Sequence, residues 1–144
     1  MKLDCQIRRA KEELEGTGFM EVGPGRYKGE HWQDGFLFLW EHAFAMAEGI
    51  LIKHLPSYDH CDMNDIPVHV GKAVIAEWET AAAILECSTA DEAVCVLNLQ
   101  TLSGAADGNE VVQNAKEIAF MLQELARECK AFYTKEDWIC VLGM

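Results

Sequence analysis

Apolar residues recur at helical spacing through most of the chain. The clearest pattern lies between about residues 109 and 132, where the positions that step by four or three are Val111, Ala115, Ile118, Leu122, Leu125, Cys129 and Phe132. Similar spacing predicts a first helix over Leu3–Glu15 and a long one from about Gln33 to His54, which Pro56 ends. The glycines of Gly104–Gly108 predict a loop before the last helix.

Capping residues place two more helices in the middle of the chain. Asn64 or Asp65 can cap a helix that extends to about Glu86, and Ser88 or Thr89 can cap a shorter helix after it. The loop before the first of these helices is Ser57–Asp65. The helix that extends to about Glu86 has a predicted apolar face formed by Val70, Val74, Trp78, Ala81 and Leu85.

Two regions have the composition of β-strands. Phe19–Val22 and Arg26–Lys28 flank the turn residues Gly23-Pro24-Gly25 and predict a hairpin. Trp138–Leu142 is rich in β-forming residues and could add a third strand to it. The predicted fold is therefore mainly α within the α+β class. It has about five helices around a single core, a small antiparallel sheet and one domain over residues 1–144.

Acidic residues recur every seven positions in two of the predicted helices. Asp34, Glu41 and Glu48 would form one narrow stripe on the long helix, because seven residues turn a helix through about 700°. Glu79 and Glu86 repeat this spacing on a later helix. Such stripes can form an exposed docking face, or they can face inward as structural ion pairs.

The charge of the whole chain allows either a solvated acidic surface or a docking face for a cationic partner. Its 144 residues include 12 Lys and Arg against 24 Asp and Glu, a formal net charge of −12 at pH 7. Between residues 31 and 108 the basic residues are Lys53 and Lys72 alone, so most of the negative excess lies there. Because phosphate backbones and anionic lipids attract basic surfaces, we expect no nucleic-acid or membrane partner. A basic protein partner fits better.

The cysteines and the amino-terminal residues indicate a reducing compartment. Residues 1–15 contain no apolar segment typical of a signal peptide, and no apolar run reaches membrane-spanning length. We expect a cytoplasmic protein whose six cysteines are reduced. Cys95 and Cys129 fall on predicted apolar helix faces, where a free cysteine behaves as a small hydrophobic residue.

The motif search finds no catalytic signature and no cofactor loop. Nucleophile-elbow, zincin and phosphate-loop motifs are all missing from the sequence. One loop is dense in metal-ligand types, but their spacing is not that of a zinc or EF-hand site, so we predict neither metal nor catalytic residues. The weak metal candidates are Asp59, His60, Cys61, Asp62 and His69.

Three hypotheses for function remain. The favoured one is a small acidic, non-catalytic binding protein. It would be an inhibitor of immunity or anti-defence type that occupies a basic surface of a partner, for example a surface with which the partner binds nucleic acid. The alternatives are a metal-binding or small enzyme domain that uses residues 58–69, and a helical scaffold or homodimer joined at Ala45/Gly49 or Phe120. The predicted partner-binding residues are Asp34, Glu41, Glu48, Asp59, Asp62, Glu79, Glu86 and Phe120.

Overall fold

An antiparallel sheet with helices packed on one face forms the fold. The computed structural model describes residues 3–10, 12, 14, 16, 18–99 and 108–143. In this part of the chain the sheet has five strands and the order β1-β3-β2-β5-β4. The strands are β1 (Ile7–Arg8), β2 (Phe19–Pro24), β3 (Leu37–Trp40), β4 (Met63–Pro67) and β5 (Trp138–Leu142).

Five α-helices accompany the sheet in the described ranges, which confirms the α+β class with a larger sheet than predicted. A short 3₁₀ helix, Leu85–Cys87, continues the second helix, and Thr89 caps the third in a capping box with Glu92. The predicted helices that end near Glu86 and that begin after Thr89 are thus confirmed. The five are α1 (Glu41–His54), α2 (Val68–Ile84), α3 (Ala90–Val96), α4 (Gly108–Gln113) and α5 (Ala115–Tyr133).

The two faces of the sheet bury clusters of different size. Met20, Val22 and Leu39 point to the inner face and join the main core, which all five helices supply. The outer face carries a smaller cluster formed by Phe19, Phe36, Phe38, Cys140 and Leu142. Alternate residues of one strand therefore enter different clusters, as the two-residue period of a strand requires.

The predicted first helix is wrong. Leu3, Ile7 and neighbouring residues have helical spacing, yet Ile7 and Arg8 pair with β3 in antiparallel register. The Leu3 amide donates to Asn114 Oδ1, a contact 111 positions along the chain. Strand pairing and this distant hydrogen bond satisfy the backbone in an extended conformation, which local spacing does not reveal.

The long helix predicted from residue 33 begins only at Glu41. Its amino-terminal part is β3, which lies between β1 and β2 in the sheet. A central strand buried on both faces has consecutive apolar residues, and such a run cannot be told from a buried helix by periodicity. Asp34 consequently lies in a turn before β3, and the predicted stripe of three acids on one helix is wrong.

The predicted hairpin is also wrong in its second strand. Gly23 and Pro24 belong to β2, and residues 26–28 form no strand. The strand that pairs with β2 on one side is β3, and β5 pairs on its other side, as predicted for the carboxy-terminal strand. A Cβ on Gly23 would overlap the Phe36 ring, so close packing on the outer face explains this glycine.

The predicted loop 57–65 ends in a strand. β4 pairs with β5, and Pro67 rather than Asn64 or Asp65 occupies the N-cap of α2. The last predicted helix is divided at Asn114 into α4 and α5. Of the predicted loop 104–108, Gly108 starts α4 and the other residues lie outside the described part of the chain.

Close backbone packing explains one of the proposed seam residues. A Cβ on Gly49 would overlap the carbonyl oxygens of Leu97 and Asn98, so this glycine lets the end of α3 approach α1. All six cysteines are free; Cys129 is buried as predicted, whereas Cys95 is exposed. Within the described residues, no helix combines the length and apolarity needed to cross a membrane.

Candidate interaction surfaces

A buried carboxylate organises the loop that the sequence singled out. Glu48 in α1 is 2% exposed. The Tyr58 hydroxyl donates to Glu48 Oε2 at 2.6 Å, and His60 Nδ1 lies 2.7 Å from the same oxygen. His60 Nε2 lies 3.2 Å from Glu41 Oε1. One histidine thus joins a buried carboxylate to a partly exposed one on the same helix. Glu41, Glu48, Tyr58 and His60 are called the Glu48 cluster below.

The loop that supplies Tyr58 and His60 is fixed by its own backbone contacts. The Asn64 side chain accepts from the Asp59 amide and donates to the carbonyls of Asp59 and Val141. The Gly143 amide donates to the Asp62 carbonyl at 2.8 Å. The loop is therefore held against β5 and the residue after it, and its conformation does not depend on Glu48 alone.

Burial and hydrogen bonding shift three pKa values in this cluster. Burial raises the pKa of Glu48, and the hydrogen bonds from Tyr58 and His60 only partly oppose it. Burial lowers the pKa of His60, but the carboxylates of Glu48 and Glu41 outweigh it and raise that pKa. Burial and the Glu48 charge raise the pKa of Tyr58 far above its ordinary value. Tyr58 therefore remains a hydrogen-bond donor.

The predicted partner-binding carboxylates divide into groups with different surroundings. Glu48 is buried, so a partner cannot reach it; its carboxylate instead positions the loop that carries Tyr58 and His60. Glu79 forms an ion pair with Lys130 at 2.6 Å. Glu41 is partly exposed and lies 3.2 Å from His60 Nε2. The remaining carboxylates are exposed, and no ion pair engages them within the described residues: Asp34, Asp59, Asp62 and Glu86.

Most basic side chains of the described part are engaged within the protein. Arg8 and Arg127 pair with acidic residues a few positions away, and the other ion pairs join residues distant in the chain. Arg26 also lies over the Trp138 ring at 4.8 Å. As a result, the negative excess is presented outward. The basic residues with an ion pair are Arg8, Arg9, Arg26, Lys53, Arg127 and Lys130.

Phe120 and Glu86 line one groove. It has a volume of about 1080 Å³ and lies between the extended residues 3–9 and α5. Phe120 is 65% exposed, the most exposed of the large apolar side chains in the described chain. Phe120 lies off the apolar spacing of α5, between Lys116 and Glu124, which accounts for its exposure. The groove itself was not predicted, because residues 3–9 were assigned to a helix.

The metal candidates do not assemble into a coordination sphere. Asp59 Oδ1 accepts from the Cys61 amide, and Asp62 Oδ1 accepts from the Met63 amide. His60 is engaged by Glu48 and Glu41, and His69 is exposed on α2. Across the described ranges, no group of three or more His, Cys, Asp or Glu side chains could hold a metal ion.

A second buried carboxylate escaped the sequence analysis. Glu21 in β2 is 4% exposed on the outer face of the sheet. Its carboxylate lies 2.6 Å from His31 Nδ1 and accepts from the Trp32 amide at 2.7 Å. Trp32 has φ of 61° and its ring stacks on Phe38. The charge of Glu21 inside an otherwise apolar strand was a usable signal, but nothing in the sequence indicated its partners.

Comparison with known proteins adds no relative to this description. No protein-family model, no curated protein and no solved structure matches the chain. The proposals below therefore rest on the geometry alone.

Proposed function

We propose that this protein is an acidic, non-catalytic binding module that occupies a basic surface of a partner protein in the cytoplasm. The supporting observation is that most of the described basic side chains form ion pairs within the protein, whereas several exposed carboxylates form none. Asp34, Asp59, Asp62 and Glu86 are exposed and outside any ion pair of the described residues. An inhibitor of immunity or anti-defence type would use such a surface against a nucleic-acid-binding partner, because its carboxylates take the place of phosphates.

The physical basis is long-range attraction followed by short-range pairing. Exposed carboxylates raise the rate of encounter with a cationic surface, and this effect weakens as salt screens the charges. Once docked, each carboxylate can accept hydrogen bonds from Arg or Lys of the partner. The fixed Asp59–Asp62 loop reduces the conformational entropy lost on docking, since its backbone is already ordered.

The first experiment identifies and measures the partner. The protein is used to capture binding proteins from the source organism at about 50 mM salt, and about 500 mM salt is used for release. The captured protein is then purified and its Kd is measured over this range. The proposal expects a basic partner whose affinity falls steeply with salt. A neutral or acidic partner, or a Kd that does not change with salt, contradicts it.

The second experiment asks whether the position of the charges matters. The variant D34N/D59N/D62N/E86Q removes four charges and keeps hydrogen-bond acceptors at the loop positions. Its matched control, E30Q/D91N/E136Q/D137N, removes four exposed charges elsewhere. We expect at least about tenfold weaker binding by the first variant at low salt and a small change in the control. Equal losses would show that only total charge acts, and would overturn the proposed surface.

A further inference from the structure

The groove between residues 3–9 and α5 has the features of a peptide-binding site. Its apolar lining includes Cys5, Ile7, Ala119 and Met121, and Phe120 stands at it with most of its ring exposed. Large exposed aromatic side chains are frequent among the residues that dominate binding energy at protein interfaces. The groove is open to solvent, so a chain segment bound in it can continue beyond the groove.

The charges at this groove select the chemistry of the segment. Arg9 is paired with Glu124 and Glu128, so it does not offset the remaining acids. Glu86 and Glu117 line the groove without an ion pair among the described residues, and the exposed Lys116 beside them offsets only part of their charge. Acidic residues therefore still outnumber basic ones in the lining. The groove thus combines an apolar lining with carboxylates that can contact a cationic side chain of a bound segment.

The Cys5 thiol lies in the same apolar and negatively charged surroundings. Burial, together with the nearby Glu117 and Asp4 charges, raises the pKa of Cys5 to about 12. Cys5 is therefore a neutral thiol that serves as apolar lining. The groove is unfavourable for a further anion, and a cationic segment is favoured there.

We infer that this groove binds a segment of the partner in which one large apolar side chain is flanked by Arg or Lys. The apolar side chain packs on Phe120 and the lining beside it, and the cations meet Glu86 and Glu117. This inference deepens the proposed function and rests on it. It adds a localised apolar contact that the exposed acidic loop lacks.

The test is selection of short random peptides on the full-length protein. Wild type is expected to select peptides with one large apolar residue and several Arg or Lys residues. The Phe120→Ala variant is expected to bind the selected peptides at least about tenfold more weakly. Ile84→Ala is the matched control, because Ile84 is 46% exposed but does not line the groove. Thermal unfolding shows whether each variant is folded, and an exposed Phe120 predicts an unchanged Tm.

Charge reversal separates the two components of binding. E86K/E117K is expected to weaken the selected peptides at least about tenfold at low salt, and the control E30K/E136K to leave them within about twofold. Peptides that bind F120A as well as wild type, or no selected family, overturn the inference. So does a wild-type dimer that F120A converts to a monomer, because a second copy would then occupy the groove. Because Glu86 lines the groove, the acidic surface is tested separately with D34N/D59N/D62N. Unchanged partner affinity of this variant, with the Phe120 dependence of peptide binding retained, contradicts the proposed acidic surface and leaves the groove proposal intact.

Discussion

Two buried carboxylates, Glu48 and Glu21, are held by similar contacts on opposite sides of the sheet. Each lies less than 3 Å from a histidine Nδ1, and the two histidine side chains are about equally exposed, at 34% and 35%. The second donors differ. Glu48 accepts from the Tyr58 hydroxyl, whereas Glu21 accepts from the backbone amide of Trp32.

This difference assigns the two carboxylates different tasks. The Glu21 carboxylate fixes the backbone of a loop, since it holds Trp32 in a conformation with φ of 61° that aromatic residues rarely adopt. The Glu48 carboxylate fixes side chains, and through His60 it is connected to a second carboxylate at the surface. The Glu48 cluster should therefore respond to pH and to side-chain substitution, while the Glu21 contact should control a local backbone conformation.

Removal of the Glu48 carboxylate is expected to have the largest effect. Glu48→Ala leaves the buried Tyr58 hydroxyl without its acceptor and His60 with only its partly exposed contact to Glu41, so we expect a loss of about 3 kcal/mol in the free energy of unfolding. Glu48→Gln keeps the side-chain volume and an oxygen acceptor for Tyr58 and removes a charge that burial disfavours, so its loss should be well below that of Glu48→Ala. Urea unfolding at pH 7 measures both. Equal losses in the two variants would show that the negative charge matters, and that neither the side-chain volume nor the acceptor for Tyr58 does.

Removal of the Glu21 carboxylate is expected to cost less and to act locally. Glu21→Ala should lower the free energy of unfolding by about 2 kcal/mol, because the Trp32 amide and His31 lose their acceptor. The specific readout is hydrogen exchange at the Trp32 amide, which should accelerate more than exchange in the adjacent strands. Glu21→Gln is the control that retains an acceptor. If E21A destabilises all amides equally, Glu21 has the same global role as Glu48 and the contrast fails.

The parts of the fold that sequence reasoning predicted depend on local signals. The capping box of Thr89 and the regular apolar spacing of α5 are readable within a few residues. β1 and β3 were missed because their backbone pairs with residues far along the chain. β3 was also hard to recognise because it is buried on both faces, which removes the alternation of apolar and polar residues that identifies a strand.

The candidate site follows the same rule. That residues 58–62 concentrate ionisable groups was evident from the sequence, but the position of Glu48 beneath them was not. The burial of Glu48 depends on where α1 begins, and on the loop after α1 that brings Tyr58 and His60 back against Glu48. Phe120 could be predicted from its place off the apolar stripe, whereas its groove required the extended path of residues 3–9.

The pH dependence of stability is expected to report the Glu48 cluster. The pKa values of Glu48 and His60 are both raised in the folded protein, from ordinary values of 4.5 and 6.5. A raised folded pKa contributes stability that is present below the ordinary value and is lost as pH rises through the folded value. Both groups therefore have the same sign. The free energy of unfolding should fall as pH rises above 4.5 through Glu48, and as pH rises above 6.5 through His60.

Two variants separate these contributions to the pH profile. E48Q should remove the decline above pH 4.5 and most of the decline above pH 6.5, because Glu48 is the larger of the two carboxylate effects that raise the His60 pKa. H60Q should remove only the decline above pH 6.5. Urea unfolding over a pH series gives the slopes. If the double variant E48Q/H60Q keeps the wild-type slope over this interval, other groups are responsible and the Glu48 cluster is not the pH-sensitive one.

The smallest expected effect belongs to the outer pair of the cluster. The side chains of His60 and Glu41 are 34% and 38% exposed, so solvent screens their 3.2 Å contact. Glu41→Gln should lower the free energy of unfolding by about 0.5 kcal/mol at low salt and by less at high salt. A double-mutant cycle of E41Q with H60Q isolates the coupling between the two side chains. A coupling above about 1.5 kcal/mol that persists at high salt would place Glu41 energetically with buried Glu48, because exposed pairs do not reach that strength.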